Sequence, residues 1–218
     1  MRIISAYTRL KNSICIFNQD ERGATLVEFA VVLSIFLLLF FGMIDFGRLG
    51  FHFVNAEKAM QVAARVAAVR LPACPGIPLI NARGPVPNGT LPPEFGTSCR
   101  SGANICANAG TISCSGSAAN PTANEIWALI AGALPNDAAI SNMKFSYTYD
   151  NNLGFLGGPY VPIVTVELQN LDFKFVSPLG AIAGLAGAVA SPSLGADISF
   201  PPMSVSLPAE DLALGESG

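Results

Sequence analysis

The sequence predicts an α+β protein. A long N-terminal helix, transmembrane and continuing outside the membrane, precedes a small disulfide-stapled, loop-rich α+β head with an antiparallel hairpin. Three observations carry that expectation. One uninterrupted apolar run lies near the N-terminus, cysteines crowd a Pro/Gly-rich stretch after it, and two alternating β-rich segments follow late in the chain. Composition agrees: of 218 residues, 51% are hydrophobic and 12% charged, about half the charged share of an ordinary soluble domain. A formal net charge of -3 gives no electrostatic ground for a nucleic-acid partner.

The apolar run spans Ala24 to Ile44, includes "FAVVLSIFLLLFFGMI" and holds Glu28 as its only charge. About 20 apolar residues in a helix cross a bilayer core, so residues 24–46 are assigned as the transmembrane helix. A secretory signal competes, because Arg2, Arg9, Lys11 and Arg22 precede the run. Signal cores are shorter, however, and Asp45, Phe46, Gly47 and Arg48 stand where a small-residue cleavage site belongs. Asp45 and Arg48 are spaced i, i+3 and are expected to pair at the membrane interface.

Basic residues flank both ends of the run, so charge counting barely orients it. Cysteines do better. Cys15 precedes the span, whereas Cys74, Cys99, Cys106 and Cys114 follow it. Their spacing lacks the C-x-x-C of a zinc site and fits paired disulfides in an oxidising compartment. The N-terminus is then cytoplasmic and the C-terminal part extracytoplasmic. Three pairings are open to four cysteines.

Residues 47–70 read as an extracytoplasmic extension of the same helix. "NAEKAMQVAARVAAVR" is rich in helix formers, and Ala56, Met60, Ala63, Ala64 and Ala67 fall on one side. Gly47 and Gly50 are expected to loosen the junction. The Ala59, Ala63, Ala67 row reads either as plain helix propensity or as a small-residue face that lets another helix approach closely. Residues 71–124 are dense in turn signals and are expected to form a cystine-stapled loop region rather than packed secondary structure.

Residues 125–208 form the expected head. "ANEIWALIAGALP" reads as a short helix with Asn124 as its N-cap. "MKFSYTYD" and "YVPIVTVELQNLDFKF" read as strands of a hairpin from about Lys144 to Phe175, with Pro162 at a start or an edge. "PLGAIAGLAGAVA" is too short to span a bilayer and reads as a core or interface helix. "ADISFPPMSVSL" is a candidate last strand, making three or so in all, and residues 209–218 a loose tail.

Nothing in the sequence has the spacing of a catalytic site. The single histidine, His52, lies near the membrane edge and reads as a packing or interfacial residue. Glu125, Asp137, Asp150, Glu167 and Asp172 show no motif spacing, and phosphate-binding and hydrolase signatures are missing. No enzymatic activity, cofactor or metal is expected. The "NGT" at Asn88 fits a glycosylation sequon and is assigned no role.

The opening of the apolar run carries the strongest motif. A basic leader ends in "DERG", Ala24 follows, and Glu28 is the fifth residue after Gly23. This pattern resembles type IV pilins and pseudopilins. With "ERGATLVEFAVVLSIFLLLFFGMIDFGRL" followed by "NAEKAMQVAARVAAVR", the match is closer to the TadE/TadG-like family of the tight-adherence (Flp) pilus system. It covers about residues 20–70. The resemblance implies a bacterial inner-membrane protein whose leader, residues 1–23, is cut by a prepilin peptidase between Gly23 and Ala24 on the cytoplasmic side. It also implies that Glu28 pairs with the new amine of an incoming subunit, an arrangement that offsets the desolvation of both charges. The implied partners are the peptidase, other pilin or pseudopilin subunits, the tight-adherence secretion machinery and membrane lipid. The implied role is that of a minor pseudopilin in assembly of an adhesive surface pilus, and cleavage would discard Cys15. Two readings compete. Glu28, close to the end of the span, can snorkel to the head groups, and the chain can be an unprocessed bitopic anchor for an extracellular binding or adhesion head.

Overall fold

A computed structural model describes residues 24–189, 194–210 and 212. The leader with Gly23 and Cys15, and most of the tail expected at 209–218, lie outside the described residues. The chain divides into two compact units, one of residues up to Arg48 together with Lys174–Asp197, the other of Leu49–Phe173 and the residues from Ile198 onward.

Helix α1, Ala24–Val69, contributes to both units and is 46 residues long, roughly 70 Å at 1.5 Å per residue. It contains no proline, and it runs through Gly47 and Gly50 without a break. The helical assignment persists across the two glycines at which loosening is expected. An interior glycine costs a helix about 1 kcal/mol, too little to end one that is continued on both sides by apolar helix formers.

In the first unit the apolar half of α1 is joined by a short helix, α3 (Leu179–Leu185), which buries Leu179, Ile182 and Ala183. The interface-or-core helix expected at 178–190 is therefore present but shorter. Phe175 meets Phe46 edge to face, with ring centroids 5.7 Å apart.

The second unit is built on a four-stranded antiparallel sheet in the order β1-β2-β3-β6. Its strands are β1 (Thr111–Ser115), β2 (Met143–Thr148), β3 (Ile163–Leu168) and β6 (Met203–Pro208). The expected hairpin is the β2–β3 pair, in register from Met143 opposite Leu168 to Thr148 opposite Ile163, and Pro162 immediately precedes β3. Strand alternation turns Val164, Val166 and Leu168 inward with Met143, Phe145 and Tyr147. Buried in the same unit is one face of α1, formed by Ala56, Ala59, Met60, Ala63, Ala64, Ala67 and Ala68. Helix on sheet is a standard two-layer core. The alanine row is thus buried inside the chain's second unit.

Three local features differ from expectation. First, β1 lies within the stretch read as loops. Second, helix α2 (Pro121–Ile130) is capped by Asn120, whose side chain accepts a 2.9 Å hydrogen bond from the Ala123 N–H, and not by Asn124. Pro121 at the first helical position has no N–H to leave unsatisfied and its fixed φ suits the helix, while Asn124 is already inside, its N–H bonded to the Asn120 carbonyl. Third, the expected last strand is split into β5 (Ile198–Ser199) and β6 by Phe200 and the Pro201–Pro202 pair. These prolines cannot donate to a ladder. Strand β5 pairs antiparallel with β4 (Asp172–Phe173) in a separate two-stranded sheet. The described strands therefore exceed the expected three.

Candidate functional site

The N-terminal half of α1 shows why the motif residues stand where they do. Leu26, Val27, Phe29, Val32, Phe36, Leu39 and Met43 are all exposed. This helix is the single one among the described residues that is long and apolar enough to cross a membrane. Its hydroxyl-bearing Ser34 turns back and donates to the Ala30 carbonyl at 2.8 Å, so that hydroxyl is satisfied within the helix itself. Ala24 and Glu28 both lie on α1, and Glu28 is exposed. The spacing puts Glu28 and the Ala24 backbone on one helix face.

At the other end of the apolar run stands Asp45, only 1% exposed. Arg48 Nη1 donates to its Oδ1 at 3.1 Å, the expected i, i+3 pair. The carboxylate also accepts from the Ser177 N–H at 3.0 Å and the Val176 N–H at 3.4 Å. A buried carboxylate is tolerated only when paired and hydrogen-bonded, and these groups supply both. They also hold residues 176 and 177 against α1 at the level where the apolar run ends. Ser177 and Val176 were beyond sequence reasoning, because no local spacing connects positions 131 and 132 residues apart.

His52 is half-buried, with its ring 5.9 Å from that of Phe51 and 6.2 Å from that of Phe173. Its Nδ1 is buried without a hydrogen-bond partner. Among the described residues no three His, Cys, Asp or Glu side chains are grouped so as to hold a metal ion.

The head is stapled twice. Cys74 pairs with Cys114, tying the exit from α1 to strand β1, and Cys99 pairs with Cys106 across a short loop. The second bridge packs on Leu156 with Ile105 and Tyr149 around it. Beside it a cavity of about 340 Å³ is lined by Asn104, Asn108, Tyr149, Asp150 and Asn151, among others. Burial, helped by the neighbouring Asp150 charge, pushes the Tyr149 phenol above its ordinary pKa. Tyr147 is more deeply placed. Its hydroxyl accepts from the Ala73 N–H at 2.8 Å, and burial pushes its pKa up.

Three of the carboxylates singled out in the head make local polar contacts. Glu125 accepts from Arg70 at 3.3 Å, joining the end of α1 to α2. Glu167 faces Lys144 at 3.4 Å across the β2–β3 pair. Asp150 accepts from the Asn152 N–H at 2.9 Å in a turn.

Residues 23–68 match the family model described as TadE-like protein. No curated protein and no solved structure matches the chain.

Proposed function

We propose that this chain, TadE-like from Gly23 to Ala68, is a minor pseudopilin that takes part in assembly of a tight-adherence pilus, a structural subunit rather than an enzyme. The observation that carries the reading is the exposed Glu28, which stands five residues after Gly23 in the outward-facing apolar half of α1, within the stretch that the TadE-like model matches. In this reading the apolar half of α1 anchors the chain in the inner membrane with its N-terminus in the cytoplasm, and a prepilin peptidase removes residues 1–23. The amine created at Ala24 of one subunit then meets the Glu28 carboxylate of another. Neither charge is tolerated alone in lipid, and the two together fix the axial register of neighbouring subunits.

Glu28→Ala in the pilus-producing cell tests it. The variant is expected to reach the membrane in normal amount and to lower piliation about tenfold or more, the effect of leaving one buried charge unpaired by over 1.4 kcal/mol. Wild-type piliation in that strain would refute the assembly role. A second reading, an anchored extracellular binding head, draws on the polar cavity beside the Cys99–Cys106 bridge. Substitution of its lining residues would then abolish surface binding while pili remained intact.

A further inference from the structure

The first unit contains a segment that suits water poorly. From Val176 to Ala196 the sequence holds no charged residue. Helix α3 within it buries Leu179, Ile182 and Ala183, yet its outer side is apolar too: Leu185 is 74% exposed, and Val176 and Val189 on either side are 74% and 96% exposed. A polar outer face is what a short surface helix in water normally carries.

The Asp45 contacts say where this segment sits along α1. A span from Ala24 to Ile44 rises about 30 Å, the thickness of the hydrocarbon core. Asp45, the next residue, therefore falls at the boundary between acyl chains and head groups. The amides of Val176 and Ser177 are bound to that carboxylate, so the segment they open starts at the same level. Phe175 against Phe46 puts two aromatic rings there, with Arg48 on the Asp45 carboxylate beside them. Aromatic and cationic residues at that level are the usual anchors of a membrane interface. Helix α3, with seven residues, is too short to cross a bilayer but long enough to lie in its surface.

We propose that residues 175–189 form a second membrane-contacting element, lying in the extracytoplasmic head-group region beside α1, with Val176, Leu185 and Val189 in contact with lipid. The proposal rests on the reading of the N-terminal half of α1 as a membrane span. It adds that the chain touches the bilayer at two places in its sequence, and that Asp45 clamps the second to the first.

Tryptophan fluorescence in lipid vesicles tests this with the full-length chain. The native protein has a single tryptophan, Trp127, on α2. In a Trp127→Phe background, Leu185→Trp and Val189→Trp each place a reporter at an exposed position, and Phe36→Trp places one in the span. Vesicles carry lipids brominated either near the head group or deep in the chain, and iodide is added to the water. Both segment reporters are expected to lose emission about twofold with shallow bromines and less with deep ones, as for a helix buried about 5–10 Å into the boundary. Phe36→Trp should respond most to deep bromines, and Trp127 in the unsubstituted chain to neither lipid. If Leu185→Trp and Val189→Trp are quenched by iodide and not by bromolipid while Phe36→Trp is quenched by deep bromines, the span stands and the second contact is overturned. If Phe36→Trp also fails to sense lipid, the span itself is wrong and the proposal falls with it.

Discussion

Helix α1 solves two opposite problems along one continuous backbone. From Thr25 to Arg48 its large apolar side chains are mostly exposed, and Asp45 is the one buried residue among those described. From Ala56 to Val69 the pattern changes: small alanines and Met60 are buried, while Glu57, Lys58, Gln61 and Arg65 are exposed. The first half presents the surface a bilayer would receive. The second presents a small-residue face that is buried within the second unit. The difference shows that helix continuity does not require a continuous environment. Propensity keeps the backbone helical throughout, and the side chains of each half are matched to what surrounds them.

That contrast can be broken from either end. The largest effect is expected in the head. Replacing Cys74 and Cys114 together by alanine opens a bridge with a sequence separation of 40 and should destabilise the head by about 4 kcal/mol on a loop-closure basis. The Cys99–Cys106 bridge, with a separation of 7, should contribute about 2 kcal/mol. Denaturant unfolding of the full-length chain in detergent, followed by Trp127 emission, measures both. Membrane retention should be unaffected by either change, since the span does not depend on the head.

Next in size is a charge in the outward-facing half. Val32→Arg should oppose insertion by about 2.5–3.5 kcal/mol, read as loss from the membrane fraction. The same change at the exposed Val62 in the second half should stay within about 0.5 kcal/mol. Equal behaviour of the two variants would erase the distinction drawn between the halves. A smaller effect is expected from Ala63→Leu, which overfills the buried face at a cost of about 1–3 kcal/mol, whereas Ala30→Leu on the exposed apolar face should be neutral. Thermal unfolding of the head separates them.

The smallest effect is alkaline. The Tyr147 phenol is pushed above its ordinary value of 10.0 by burial. In the unfolded chain it ionises first, so the folded state binds more protons once the pH exceeds that value. The contribution to stability is therefore fully present below about pH 10 and falls as pH rises, by up to about 1.4 kcal/mol per pH unit. Tyr147→Phe should flatten that decline relative to the native chain, as measured by unfolding midpoints between pH 9 and 11 on the order of these pKa values.

The sequence disclosed features set by local pattern. A period of 3.6 and the absence of proline carried α1, a period of 2 carried the β2–β3 pair, and the offset of Glu28 from Gly23 marked the motif. Features set by distant pairing were hidden. Strand β1, "TISCS", is an edge strand with only half-buried inward residues, so its composition resembles the Ser- and Ala-rich stretch around it, and its identity comes from β2. The cystine pairs depend on which loops the sheet brings together. The partners of Asp45 arrive from a segment whose chain position carries no sign of α1. Asn120 was the exception, since Pro121 beside it was a readable start signal that the more regular pattern from Asn124 concealed.

The proposed pseudopilin role requires a processed chain whose first residue is Ala24. Intact mass and N-terminal sequencing of the protein, co-produced with a prepilin peptidase active on its own pilin, test this directly. The account predicts a mature chain beginning at Ala24, with Cys15 gone and both head disulfides retained. A chain still beginning at Met1 alongside a fully processed pilin would contradict it.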